Sequence, residues 1–319
     1  MGIGTSSPGS NLHVVGDSGS SGQIYVSDAD NGTSTGDSLL INKSGTNAFV
    51  YNRDNGQISF GTNDTSDMLV IANTGNATFA GNIDVTGRMT INDGNDNVLI
   101  GDNAGDALSS GSRNVAIGDD ALSSEDEHGR NVAVGFQSLF AQNAGADAYN
   151  VAVGYQAGTV ISTGVQNTIV GGQAGDALTT GSYNTAIGYR ALSTEDAHGF
   201  NTAIGYQTLA TLNAGANAYN VAIGHNAGAN VTTGAFNTLV GGNAGDALTE
   251  GNTNVALGYR ALGAETLGDA NVAIGNNALL VQNNTSDTDV YNVAVGANAG
   301  MSVTTGINNT ILGGLAGGL

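Results

Sequence analysis

From residue 97 onward, polar and apolar positions follow one five-residue pattern: an Asn, three small strand-forming residues, then a Gly. Thirteen copies begin at Asn97, Asn114, Asn131, Asn150, Asn167, Asn184, Asn201, Asn220, Asn237, Asn254, Asn271, Asn292 and Asn309. They read Asn-[Val/Thr]-[Ala/Leu/Ile]-[Ile/Val/Leu]-Gly, as in Asn114-Val-Ala-Ile-Gly118. Successive starts lie 17 residues apart, except for two gaps of 19 and one of 21. No helical period of useful length interrupts them. A fixed period near 17 predicts a solenoid, in which each coil buries its apolar face only by stacking on its neighbours.

A longer period rides on the first. The third motif position is Leu99, Ile169, Leu239 and Ile311 in every fourth coil and Ala in the other nine, so the duplicated unit is a block of four coils. Alternate side chains of a strand face opposite ways. Positions 2 and 4, such as Val115 and Ile117, are therefore expected to fill the coil's interior, with position 3 outward. A column of outward Ala would let another backbone approach, and the Leu or Ile of every fourth coil would insert into that seam. The Asn suits a stacked side-chain ladder and the Gly a corner. At roughly 4.8 Å per parallel coil, twelve steps span on the order of 58 Å.

Residues 1–90 lack this ladder and predict a small β domain, with strands at Leu12–Val15, Gln23–Val26, Leu39–Ile41, Ala48–Tyr51, Gln57–Phe60, Met68–Ile71, Ala77–Phe79 and Ile83–Val85. Asp54-Asn55-Gly56 predicts a hairpin between Val50-Tyr51 and Ile58–Phe60, because Asn-Gly accepts the positive φ of a tight turn. The fold class is thus all-β, with the N-terminal domain at 1–90 and about 13 coils at 91–319.

Composition narrows the function. The 51 Gly residues and single Pro among 319 fit a turn at every coil corner, and a narrow core suits a chain without Trp. With 7 basic against 27 acidic residues, the net charge of −20 repels nucleic acid and anionic membranes. Without Cys there is neither a disulfide nor a thiolate metal site. No apolar run reaches membrane-spanning length, and no basic segment with an apolar stretch after it precedes residue 30, as expected for a chain with neither membrane insertion nor a secretion signal. Met1-Gly-Ile-Gly-Thr-Ser6 satisfies a myristoylation pattern, but these residues have a better explanation below.

Three columns could carry function. The 19- and 21-residue coils widen into polar loops that each end in Tyr, and outward loops of a solenoid are where binding is built. Candidate receptor-binding residues are Phe140, Gln142, Asn143 and Tyr149 in the first loop, Leu212, Asn213 and Tyr219 in the second, and Gln282, Asn283 and Tyr291 in the third. The second column is acidic: Ser124-Glu-Asp-Glu-His128, Thr194-Glu-Asp-Ala-His198 and Ala264-Glu-Thr-Leu267. Paired carboxylates beside a His suit acid–base chemistry or a cation. The third copy loses the His and one acid, so a solvated charged loop is the expectation, with no metal and no cofactor. The third column, Asp28-Ala-Asp-Asn-Gly32 with Asp93-Gly-Asn-Asp96, lacks the Glu that a Ca²⁺ loop carries at its twelfth position and reads as turns.

The repeated Asn-[Val/Thr]-Ala-Ile-Gly, followed after two residues by Ala-Leu or Ala-Gly, resembles the head repeat of trimeric autotransporter adhesins over residues 97 to 313. That resemblance implies a left-handed parallel β-roll, three chains about an axis and a surface-binding role, although the coils here are longer. Gly2-Ile-Gly-Thr-Ser-Ser-Pro-Gly-Ser-Asn-Leu-His-Val14 resembles a segment of bacteriophage tail fibres, and Met68 to Gly87 is similar to the modules that follow it there. Together these imply a homotrimeric virion tail fibre or spike that joins other virion tail proteins and adheres to a host cell-surface glycan or protein, without enzymatic turnover. Gly313–Leu319 matches the beginning of Gly171-Gly-Gln-Ala-Gly-Asp-Ala-Leu178, so the expectations for that end are cover by trimerisation or a partner, removal of a C-terminal folding domain, or continuation of the rod into another subunit. The alternatives are a virion connector, a cellular surface adhesin, and a glycan depolymerase using Glu125 and Glu195.

Overall fold

The computed structural model describes residues 95–286 and 288–317 in full, together with the backbone of eight strands before residue 80. The chain divides into two compact units, Met1–Met89 and Thr90–Leu319. In the first, Gly2–Ile3 pairs in parallel with His13–Val14. Gly22–Val26, Leu39–Ser44 and Asn47–Asn52 form an antiparallel meander, and Ile58–Phe60, Leu69–Ile71 and Ala77–Thr78 form another.

One expectation is corrected here. Asn47–Asn52 pairs with Leu39–Ser44 and Ile58–Phe60 with Leu69–Ile71, and among the described residues no pairing joins Asn47–Asn52 to Ile58–Phe60 as the expected hairpin requires. Only Gly45-Thr46 separates Leu39–Ser44 from Asn47–Asn52 in the sequence, a two-residue connection of hairpin length. The turn residues 54–56, the expected strand at Ile83–Val85, the Met1–Ser6 pattern as a whole and Asp28–Gly32 lie outside the described residues.

The second unit is a parallel β-solenoid. Thirteen three-residue strands, from Val98–Ile100 to Thr310–Leu312, stack in chain order into one parallel sheet. Every step keeps motif register, with Val115, Ala116 and Ile117 opposite Val132, Ala133 and Val134. Among the described residues there is no helix.

What holds the register is the Asn. Its side chain is enclosed, and its Oδ1 accepts the backbone N–H of the next coil's Asn at 2.8–3.1 Å in eleven steps, as from Asn201 to Asn184 at 3.0 Å. Its Nδ2 commonly reaches across the coil to a carbonyl 14 residues on, as from Asn220 to Gly234 at 2.7 Å. The expected ladder is therefore mainly side chain to backbone. It satisfies buried groups at both sides of the coil with one amide.

Because position 1 faces inward, the pleat turns position 3 inward too. The Ala column, Ala116 to Ala294, is wholly buried, while positions 2 and 4 are half-buried or exposed. This reverses the expected faces. The large residue of every fourth coil does not enter a seam between chains; it fills its own coil where a Gly leaves room. A Cβ on Gly175 would sit 2.9 Å from Leu178 Cδ1 and 3.2 Å from Ile169 Cδ1, and one on Gly245 would sit 2.8 Å from Leu239 Cδ2. Leu122, Leu139, Leu192, Leu209, Leu262 and Leu279 fill the equivalent space in coils whose third position is Ala. The Gly at position 5 is required by contact as well as by φ: a Cβ on Gly118 (φ 130°) would lie 2.6 Å from the backbone of Gly135.

Candidate functional site

The widened loops bring only part of the expected set to the surface. Phe140, Asn143, Tyr149, Asn213, Tyr219, Asn283 and Tyr291 are exposed. Gln142, Leu212 and Gln282 are fully enclosed. Gln142 accepts from Asn150 Nδ2 at 2.7 Å and donates to the Ser162 carbonyl at 3.2 Å. Gln282 donates to Glu265 and Asn271 and accepts from Asn292. These three belong to the interior column shared with Ile161, Leu178 and Leu248, and no surface ligand meets them.

The Tyr residues that end the loops are not isolated. Arg130 donates to Tyr149 Oη at 2.7 Å, pairs with Asp147 and lies over the Tyr149 ring. Tyr219 stacks between Phe200 and Phe236, with centroids 4.9 and 5.5 Å apart, and Tyr183 extends that column from Phe200. Tyr291 donates to Asp289 at 2.9 Å, and that hydrogen bond raises its phenol above the usual range.

These rings belong to a larger surface. The residue before every motif Asn adopts left-handed φ, 52–64° in all thirteen coils, and none is Gly. A non-Gly residue in that region costs on the order of 1 kcal/mol, so the side chain is kept for something other than turning the chain. On the far side of each strand, the residue after the Gly forms a second column: Phe136 stacks on Tyr155, and Tyr206 lies between Tyr189 and His225. Between the two columns run positions 2 and 4. One coil thus presents Phe200, Thr202, Ile204 and Tyr206 on a single outer face. No charged side chain occupies position 2 or 4 in any coil.

Sequence reasoning missed Tyr183, Phe200, Phe236, Tyr155, Tyr189 and Tyr206. Their signal was present, because a buried Asn at position 1 places every even position, including those just outside the motif, on the opposite face.

The acidic column is also corrected. Glu125, Glu195 and Glu265 are fully buried, not solvated. They occupy the inward position filled by Leu178 or Ile161 in other coils. Burial pushes the Glu125 carboxyl above its ordinary range, opposed by the His128 N–H and the His128 ring. No protein-family model matches this chain, and no curated protein or solved structure does either.

Proposed function

We propose that this chain is an adhesive fibre: three copies pack their outer sheet faces about an axis and present the widened loops to a host surface, binding without turnover. The observation that carries this reading is the outer face. A chain with net charge −20 keeps thirteen successive strands free of charge on positions 2 and 4 and, along the middle coils, borders them with aromatic side chains, of which Tyr183, Phe200, Tyr219 and Phe236 are held at left-handed φ. A face of that kind supports cover by another apolar surface, and a second copy supplies one. The number three comes from the likeness to trimeric adhesin heads. The N-terminal likeness supports a place in a virion tail, with other tail proteins as partners. Repetition of each loop on three chains turns weak contacts with a glycan into avidity.

A virion connector that never touches the host is the second reading, favoured by the enclosure of Gln142, Leu212 and Gln282 and by the internal partners of Tyr149 and Tyr219. Adsorption to candidate host cells separates the two. Purified protein should bind saturably and block adsorption. Asn143→Ala with Asn213→Ala should weaken binding by at least about tenfold through lost avidity while native mass is unchanged. Saturable binding that survives these changes would remove the loop tips from the reading, and no binding at all would favour the connector.

A further inference from the structure

The three buried glutamates form an internal comparison, because they occupy one position in successive four-coil blocks. Glu265 is saturated by protein donors. Its Oε1 accepts from the backbone of Thr266, Gly268 and Asn284 at 2.9–3.0 Å, and its Oε2 accepts from Gln282 Nε2 at 2.8 Å and Asn284 Nδ2 at 3.0 Å. This copy has Thr266 and Gly268 where the others have Asp and His. Glu195 is intermediate: Oε1 meets the His198 backbone N–H and Nδ1 at 3.2 and 3.1 Å, and Oε2 accepts only the Ala214 N–H at 3.4 Å.

Glu125 is the poorest of the three. Its Oε1 accepts the His128 N–H at 3.2 Å, with His128 Nδ1 at 3.8 Å, beyond hydrogen-bonding reach. Its Oε2 is enclosed and has no partner, and neither has His128 Nδ1. A wholly buried carboxylate without compensating donors is costly. The copy without Asp and His is saturated by protein donors and the two copies that carry them are not, Glu125 least of all, which is the relation expected if something other than protein compensates the first copy. Ligand atoms of Glu125, Asp126 and His128 lie within 4.8 Å of one another. The segment is held from the coil before it and from its own: the Asp126 carbonyl accepts the Ser109 N–H at 2.8 Å, and the His128 carbonyl accepts Nδ2 of Asn114, across the same coil, at 3.2 Å.

We propose that Glu125, Asp126 and His128 bind one divalent transition cation of the Zn²⁺ class. Glu125 Oε2 and His128 Nδ1 are the anchoring atoms, an Asp126 oxygen is the third ligand, and water completes the shell. An imidazole nitrogen beside two carboxylates suits Zn²⁺, Co²⁺ or Ni²⁺ and disfavours Ca²⁺ and Mg²⁺, which take oxygen ligands. Ligand atoms of Glu195, Asp196 and His198 also lie within 4.8 Å of one another, but there His198 Nδ1 is already partnered by Glu195 Oε1 at 3.1 Å, so the first block is the site assigned.

The test is titration of chelator-stripped full-length protein with Zn²⁺ by calorimetry and with Co²⁺ by visible absorption, in excess Mg²⁺. One equivalent per chain is expected, with a Co²⁺ spectrum showing nitrogen ligation. Glu125→Gln and His128→Asn should each weaken binding by at least roughly tenfold, while His198→Asn leaves that equivalent in place. If Glu125→Gln fails to fold, His128→Asn decides alone, since its ring is on the coil's margin at 28% exposure. No uptake, or uptake unchanged by both first-block variants, would overturn the assignment and leave cation binding to the acidic surface at large.

Discussion

Asn237→Ala removes one small side chain and should open three coils. Asn237 is 1% exposed. Its Oδ1 accepts the Asn254 N–H at 2.9 Å, and its Nδ2 donates to the Gly251 carbonyl at 2.8 Å. The variant leaves one backbone donor and one acceptor without partners inside the coil. At about 1–3 kcal/mol for each orphaned group, the local cost is about 2–6 kcal/mol. A solenoid coil contacts only its neighbours, so the loss should concentrate in Thr238–Val240 and the strands beside it, Val221–Ile223 and Val255–Leu257. Hydrogen exchange read by mass spectrometry reports such local opening. A cost of 2 kcal/mol corresponds to protection reduced roughly thirtyfold. Asn213→Ala, on an exposed loop, serves as the control and should stay within about 0.5 kcal/mol of the parent. Unchanged protection of those strands in Asn237→Ala would refute the claim that the Asn amides hold the register.

The volume exchange between position 3 and the following Gly predicts coupling. Leu239→Ala should cost about 2–5 kcal/mol. Gly245→Ala brings a Cβ to 2.8 Å from Leu239 Cδ2, and the double variant should be less destabilised than the sum of the singles by at least about 0.5 kcal/mol, measured from urea unfolding. Asp176 provides a pH test. Burial raises its carboxyl above 3.8, and its Oδ1 has no partner, whereas Asp246 in the next block accepts from Asn243 at 2.8 Å. A raised folded-state pKa means that ionisation penalises the fold above that value, and the penalty fades as pH falls through it towards 3.8. Asp176→Asn should therefore raise Tm near pH 7 and lose that advantage by roughly pH 4; an advantage that persists there would contradict the cause assigned.

The sequence made the solenoid legible because its signal is repetition, which needs no propensity estimate. Strand positions, coil boundaries and the corner Gly all follow from the motif. The faces were misread for a physical reason. Val and Ile are larger and more apolar than Ala, so hydrophobicity alone puts them inside, yet where a Leu such as Leu122 already fills the coil, position 3 has room for Ala, and the coil must also enclose the Asn amide. The Asn fixes the parity, and its two hydrogen bonds outweigh half-exposure of the Val and Ile. The glutamates were misread for a related reason. Set beside one another they look like a charged loop; their inward direction is evident only against Leu178 and Ile161, which hold the same place in other coils. The loop residues Gln142, Leu212 and Gln282 fall in that same interior column.

Native mass in solution tests most directly whether the outer face is an association surface. Light scattering of the parent should give three times the chain mass, and Ile187→Asp with Ile204→Asp, two adjacent outer positions, should return it to one chain with its hydrogen-exchange protection kept. A parent of single-chain mass, or a trimer indifferent to both substitutions, would contradict the account.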